Sequence, residues 1–220
     1  MTATNKLLMK EIRLSSSKLS FVFLAFGLMT LLPGYPILCG AFFICLGIFQ
    51  SWQYAREAGD ISYSVLLPVA KRDVVRGKYR FAVLIELMGF SVMTVCTVLR
   101  MTLLADSAVY RSNVLMNANP FFLAMALLIF GLFNAIFIGG FFRTAYRFCQ
   151  PFVVFLIAAF AVLAVGETLH HLPGLSLMNA FGFEHWPLQL MLLLSGNVCF
   201  LLLTIFSCKR SMKRFEALDL

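Results

Sequence analysis

QYAREAGDISYSVLLPVAKRDVVRGKYR, residues 53 to 80, is the long polar stretch of a chain that otherwise alternates apolar runs with short turns. It holds six of the eighteen Lys and Arg residues (Arg56, Lys71, Arg72, Arg76, Lys78, Arg80) together with Glu57, Asp60 and Asp73, and so many charges cannot sit in lipid. Wound as a helix, it gathers Glu57, Asp60 and Ser64 into one narrow arc, while Ile61, Tyr63, Val65, Leu66 and Leu67 cover most of the remaining circumference. Pro68 stops that helix and Asp73 is placed to cap a second. An amphipathic helix with this many apolar positions needs the bilayer interface or a protein partner.

The composition around this stretch sets the class. With 61% hydrophobic and 13% charged residues and a mean hydropathy of +0.89, 220 residues lack the polar side chains to cover a water-soluble globule. The net charge of +8 gathers at the ends of apolar runs, which is the pattern of membrane orientation and not of nucleic-acid binding. Cys39, Cys45, Cys96, Cys149, Cys199 and Cys208 lie in or beside apolar runs without CxxC or zinc spacing, and read as small core residues. Leu38 before Cys39 argues against a lipoprotein site, and no A-x-A-like sequence closes the first run as a cleaved leader would.

Toward the N-terminus, Leu19 to Phe49 are free of charge. One helix of that length would measure about 46 Å against a hydrocarbon layer of about 30 Å. Pro33, Gly34, Tyr35 and Pro36 break it near the middle, predicting two short spans that reach into Ser17 and Gln50. Before them, Lys6, Lys10 and Arg13 fall within about 60° on a helical wheel, with Leu7, Leu8, Ile12 and Leu14 elsewhere, which predicts an interfacial amphipathic helix. Toward the C-terminus, Phe81 opens a run ending at Arg100, and Pro120, Pro151 and Pro187 open three more, each proline placed where a helix start loses no hydrogen bond. The expected spans are 17–34, 36–53, 81–99, 120–142, 151–169 and 187–208 within a single domain of residues 1–220, with the 54–80 loop on the cytoplasmic side. This count puts sixteen of the eighteen Lys and Arg residues on one side and leaves Arg100 and Arg111 on the other. A single span over 19–49 would divide them twelve to six at best, so the positive-inside rule selects six spans with both termini cytoplasmic.

Few side chains suggest chemistry. Glu167, His170, His171, Glu184 and His185 flank the last outer loop, but no H-E-x-x-H or comparable signature joins them, and they read as a solvated rim with no metal expected. An intramembrane hydrolase built on His170, His171 and His185 ranks last among the possible functions. Glu86 is the carboxylate well inside a span, placed to line a substrate path, to snorkel or to pair with a neighbour. Asn134 and Asn197 are mid-span amides suited to interhelical hydrogen bonds or to that path. Gly131, Gly139 and Gly140 permit close helix approach. No nucleophile with a matching base appears, and no GxxxxGK[ST] loop, so no enzyme is expected and any pumping must be powered from outside the chain.

The sequence E-A-G-D-I-S-Y-S-V-L-L-P-V-A-K-R-D-V-V-R-G-K-Y, residues 57 to 79, resembles the cytoplasmic loop between spans two and three of ABC type-2 transporter permeases. G-L-F-N-A-I-F-I-G-G-F-F-R-T-A-Y-R, Gly131 to Arg147, is similar to that family's fourth span and following turn. The resemblance implies an all-α polytopic membrane protein with six transmembrane helices, an N-terminal interfacial helix and a cytoplasmic coupling helix between spans 2 and 3. It implies a plasma-membrane exporter whose permease pairs with a second copy or a paralogue. It also implies separate ABC ATPase subunits that bind the ATP and Mg, with no cofactor in this chain. Carried over, Glu57, Asp60, Ile61, Tyr63, Leu66 and Leu67 would face the ATPase, with Pro68, Lys71 and Arg72 ending the contact. Ala70 departs from the family pattern, which has a small hydroxyl residue at the second cap. The competing reading is a non-transporting immunity or sensory subunit whose 54–80 loop binds another partner.

Overall fold

The computed structural model of the chain describes residues 3–143 and 147–218. The extreme ends of the expected domain, and Thr144, Ala145 and Tyr146 of the second family-like stretch, lie outside the described residues. The described residues are helical without strands, and the chain is an all-α polytopic membrane protein. Among the described residues four helices are long and apolar enough to cross a bilayer, Lys71–Met101, Pro120–Phe141, Cys149–Leu169 and Trp186–Glu216, and the bent pair Asn5–Leu14 and Lys18–Leu31 makes a fifth if it is one span.

The N-terminal third is less regular. Helix α1 (Ala3–Lys10) runs on through a wide π turn, Glu11–Ser15. After Ser16 and Ser17 the chain enters α2 (Lys18–Val22), with the Ser17 hydroxyl capping the amide of Leu19, and continues as a 3₁₀ helix over Phe23–Leu31. The axis bends by 94° between residues 5–14 and 18–31, so α1 lies across the direction of the helix it feeds. The tight winding has a length consequence: five α residues and nine 3₁₀ residues together span about 25 Å, against about 21 Å if all were α-helical. A short apolar half is thereby stretched toward bilayer thickness. The break falls at residues 32–38, where Gly34 takes a φ of 71° that side chains with a Cβ avoid, and α3 (Cys39–Glu57) returns. Its last two turns, QSWQYARE, are too polar for lipid.

Helix α4 (Asp60–Leu66) follows, then α5 (Lys71–Met101), the short α6 (Ala108–Arg111) and α7 (Pro120–Leu132). A π turn at Phe133–Ile138 leads α7 into α8 (Gly139–Phe141); α9 (Cys149–Leu169) and α10 (Trp186–Glu216) complete the bundle. Helices α5 and α10 run well past the apolar runs 81–99 and 187–208, because backbone hydrogen bonding continues unbroken into the polar region.

Helix α7 is the centre, buried over most of its length and packed against α10, α9, α5 and α3. Its contact with α10 is close because Gly196 has no side chain: a Cβ there would lie 2.7 Å from the Ala124 Cα. Aromatic rings fill the space between α3, the π turn and α9, with Phe49 stacked on Phe152 at 3.8 Å and Phe133 edge-on to Phe155 at 5.0 Å. Cys45 and Cys96 are buried among these helices, but Cys149 and Cys199 are exposed, a correction to their reading as core residues. A thiol is apolar enough to face lipid.

The bundle has two distinct polar ends. At one, α1, α4, the start of α5 and the C-terminal tail converge: Lys71 Nζ donates to the Leu218 carbonyl at 2.5 Å and Arg80 to Asn5 Oδ1 at 3.3 Å. At the other, the buried Arg100 donates to the Thr30 carbonyl at 2.9 Å and to Asn117 Oδ1 at 2.8 Å, and its guanidinium lies 4.2 Å from the Tyr110 ring.

Candidate functional site

Gly59, with φ 65°, turns the chain out of α3; its amide bonds to the Arg56 carbonyl and that of Ala58 to Tyr54, both at 3.0 Å. Helix α4 starts on the next residue. It ends where Leu67 is forced into an extended conformation before Pro68. Helix α5 then begins with Ala70 as a cap without a side-chain hydrogen bond. Asp73, expected to cap this helix, lies inside its first turn and pairs with Arg76 at 3.1 Å. The cause is plain: the helix starts at Lys71, three residues before the start at Val74 that Asp73 would cap.

The inner side of α4 closes a buried ring of four charges. Lys10 Nζ lies 2.5 Å from Asp60 Oδ1 and 3.0 Å from Glu11 Oε1; Lys78 Nζ lies 2.7 Å from Asp60 Oδ2 and 3.0 Å from Glu11 Oε2. Each lysine bridges both acids, and each acid uses both oxygens. Lys10 spends its third proton on Ser64 Oγ at 2.6 Å, and Lys78 sits 5.4 Å from the Trp52 ring centre. The ring is electrically neutral and joins α1, α4 and α5. Burial by itself would raise the Asp60 carboxyl, but the charge of Lys78 and the hydrogen bonds from Lys10 and Lys78 outweigh it and hold the group at about 2.

This ring orients α4. Asp60, expected to face an ATPase, lies buried with Ser64 on the inner side: Lys10 and Lys78 compensate its carboxylate inside the chain, and Ser64 Oγ accepts from Lys10. The apolar arc faces away, with Tyr63 55% and Leu66 84% exposed. Glu57, Pro68 and Arg72 are also exposed, while Ile61, Leu67 and Lys71 are half-buried. Ile61 packs against the core, and Lys71 is held by the tail. A helix that buries its acid and shows its leucine to the outside is inverted for a water-soluble surface, and needs an apolar cover.

Lys10, Glu11 and Lys78 were the residues that sequence reasoning missed. Lys10, expected on the basic arc of an interfacial helix with Lys6 and Arg13, is one side of the ring. A signal existed at Lys78, which falls in the helical stripe of Val74, Phe81 and Ile85, all buried; a lysine in an apolar stripe demands a buried acid.

Deeper in the bundle, Glu86 and Asn134 come together as one polar cluster. Asn134 Nδ2 donates to Glu86 Oε2 at 2.9 Å and to Thr204 Oγ1 at 3.0 Å. The π turn leaves the Asn134 carbonyl reachable, and it accepts from Ser207 Oγ at 2.8 Å and Tyr79 at 3.3 Å. Glu86 is fully buried, and its Oε1 has no partner among the described residues. Asn197 does not join them. It sits on the exposed side of α10, because Gly196, its neighbour, is turned onto α7.

At the opposite end, Glu167 Oε2 accepts from the Met116 amide at 2.8 Å and His170 Nε2 lies 3.1 Å from the Val114 carbonyl. These two residues hold the 114–116 loop, and among the described residues no cluster of metal-binding side chains forms.

A family model described as an ABC-2 family transporter protein matches residues 6–216. No curated protein and no solved structure matches the chain.

Proposed function

The chain belongs to the ABC-2 family of transporter proteins, and from that premise we propose that it is the permease subunit of an ABC exporter in the plasma membrane. ATP would be hydrolysed, with Mg, in separate ATPase subunits that seat α4 as a coupling helix. Six spans with both termini cytoplasmic, as the positive-inside rule favours, would put α4 and the ion-pair ring on the ATPase side. The observation that carries the reading is the orientation of α4: its polar face is consumed by the chain itself, and its apolar face, Tyr63 and Leu66, is presented outward. An ATPase groove is a partner of the right chemistry for it. Motion of the seated helix would pass through the ring to α1 and α5 as a rigid unit, switching the spans between inward and outward access. Glu86 and Asn134 lie on the helices that would move against one another. Asn197, an amide exposed in the middle of α10, would gain a hydrogen-bond partner from a second permease copy.

Pull-down of the tagged full chain from native membranes, with identification of co-purifying chains that carry a phosphate-loop motif, tests this. Tyr63→Asp with Leu66→Asp should lower ATPase recovery by about tenfold or more, because two central apolar contacts are replaced by desolvated charges. Insertion and the melting temperature should be unchanged. Equal ATPase recovery from the variant and the parent would overturn the reading.

A further inference from the structure

At the basic end of the bundle, α5 and α10, with Leu8 of α1, line an open groove of about 620 Å³. We propose that this groove binds an anionic phospholipid from the leaflet on that side, with its phosphate at Arg80 and Lys209 and an acyl chain along the floor. The arrangement of the two helices carries the argument. Helix α5 enters the apolar layer here and α10 leaves it, so the cations of both lie at one level, Arg76 and Arg80 on one wall and Lys209 on the other. Deeper on α5, Leu84 and Leu87 follow Arg80 by about 6 and 10 Å along the axis, and on α10 Ile205 lies about 6 Å below Lys209. Head-level charge above an apolar channel is the profile of a lipid, on two antiparallel helices at once.

The charges here are not neutralised as they are in the ring. Arg76 pairs with Asp73 and Arg80 reaches Asn5 Oδ1, but Lys209 forms no ion pair among the described residues, and no acid lines the groove. The same count argues against a second copy as the occupant. A two-fold contact through this face would bring six cations together against the two Asp73 carboxylates. The groove also reaches the polar cluster, since Thr204 lines it and accepts from Asn134.

The test is native mass spectrometry of the full chain released from detergent after incubation with equal amounts of palmitoyl-oleoyl phosphatidylglycerol and phosphatidylcholine. The parent chain should retain one phosphatidylglycerol in preference to phosphatidylcholine by about thirtyfold, the scale expected from two interfacial cations at about 1 kcal/mol each. Arg80→Gln with Lys209→Gln should abolish the preference, whereas Arg210→Gln with Lys213→Gln, on the same tail but off this groove, should keep it. Leu84→Trp retains the cations and fills the floor, and should also lose the lipid, so a double variant that does not fold still leaves a decisive variant. Glycerol 3-phosphate at the lipid concentration should not displace the adduct, because a free phosphate lacks the chain. Equal retention of the two lipids by the parent, an unchanged preference in both groove variants, displacement by glycerol 3-phosphate, or loss of the adduct on formation of a dimer would each overturn the proposal.

Discussion

Replacing Lys78 by methionine should cost the folded chain about 3 to 5 kcal/mol, the range for removing one partner from a buried ion pair. The geometry sets both limits. Lys78 lies within 3.0 Å of both Glu11 and Asp60; without it two buried carboxylates share Lys10 alone, and two like charges about 4 Å apart at an effective dielectric of 20 repel by about 4 kcal/mol. The penalty has a ceiling, because one acid can take a proton instead, and protonating an ordinary carboxylate at pH 7 costs about 4 kcal/mol. A loss of this size in a chain of this length corresponds to a fall in melting temperature on the order of 10 °C. The informative measurement is a double-mutant cycle in detergent, read by thermal melting. Lys78→Met with Glu11→Gln leaves the neutral pair Lys10 and Asp60 and should be more stable than Lys78→Met alone, with a coupling of about 1 to 3 kcal/mol. Additive losses, or a cost for Lys78→Met below about 1 kcal/mol, would refute the ring as a structural unit.

The ring also makes stability acid-sensitive. Because the folded-state carboxyl of Asp60 is lowered to about 2, its contribution is complete above the ordinary carboxylate range and is lost as pH falls from about 4 through 2, by roughly 2 kcal/mol in all. Asp60→Asn should remove that part of the melting profile between pH 4 and 2, and a profile unchanged by the substitution would contradict the assignment. At the bundle centre, Gly196→Leu places a side chain where a Cβ already lies 2.7 Å from the Ala124 Cα; it should destabilise the chain by about 1 to 3 kcal/mol or more. Ser195→Leu, on the exposed side of the same turn, should be near neutral, and equal melting temperatures for the two variants would show that α7 and α10 can separate without cost.

The membrane class, the break near Gly34 and the starts at Pro120 and Pro187 were legible in the chain, whereas the turn at Gly59, which leaves Glu57 at the end of α3 and starts α4 at Asp60, was not: the sequence pattern predicts one helix over 57–67. Each of the legible features depends on local quantities: hydropathy over a window, a proline without an amide proton, or a backbone angle that only glycine adopts cheaply. The amphipathic pattern of residues 57 to 67 was legible too, but not its direction. Periodicity says that Asp60 and Ser64 share a face and that Tyr63 and Leu66 lie away from it; it cannot say which face the rest of the molecule covers. That was decided by Lys10 and Lys78, which arrive from 50 residues upstream and 18 downstream and carry opposite charge into the same few ångströms. The same limit explains Asn134 and Asn197, alike in sequence as mid-span amides. One meets Glu86 because the π turn and α5 bring them together, and the other faces outward because Gly196 beside it is the residue small enough to touch α7. Composition thus determines that the chain enters the membrane and where it turns. Only packing decides which polar groups find partners inside, since a buried charge is set by what lies opposite it in space, and that is not written in its neighbours along the chain.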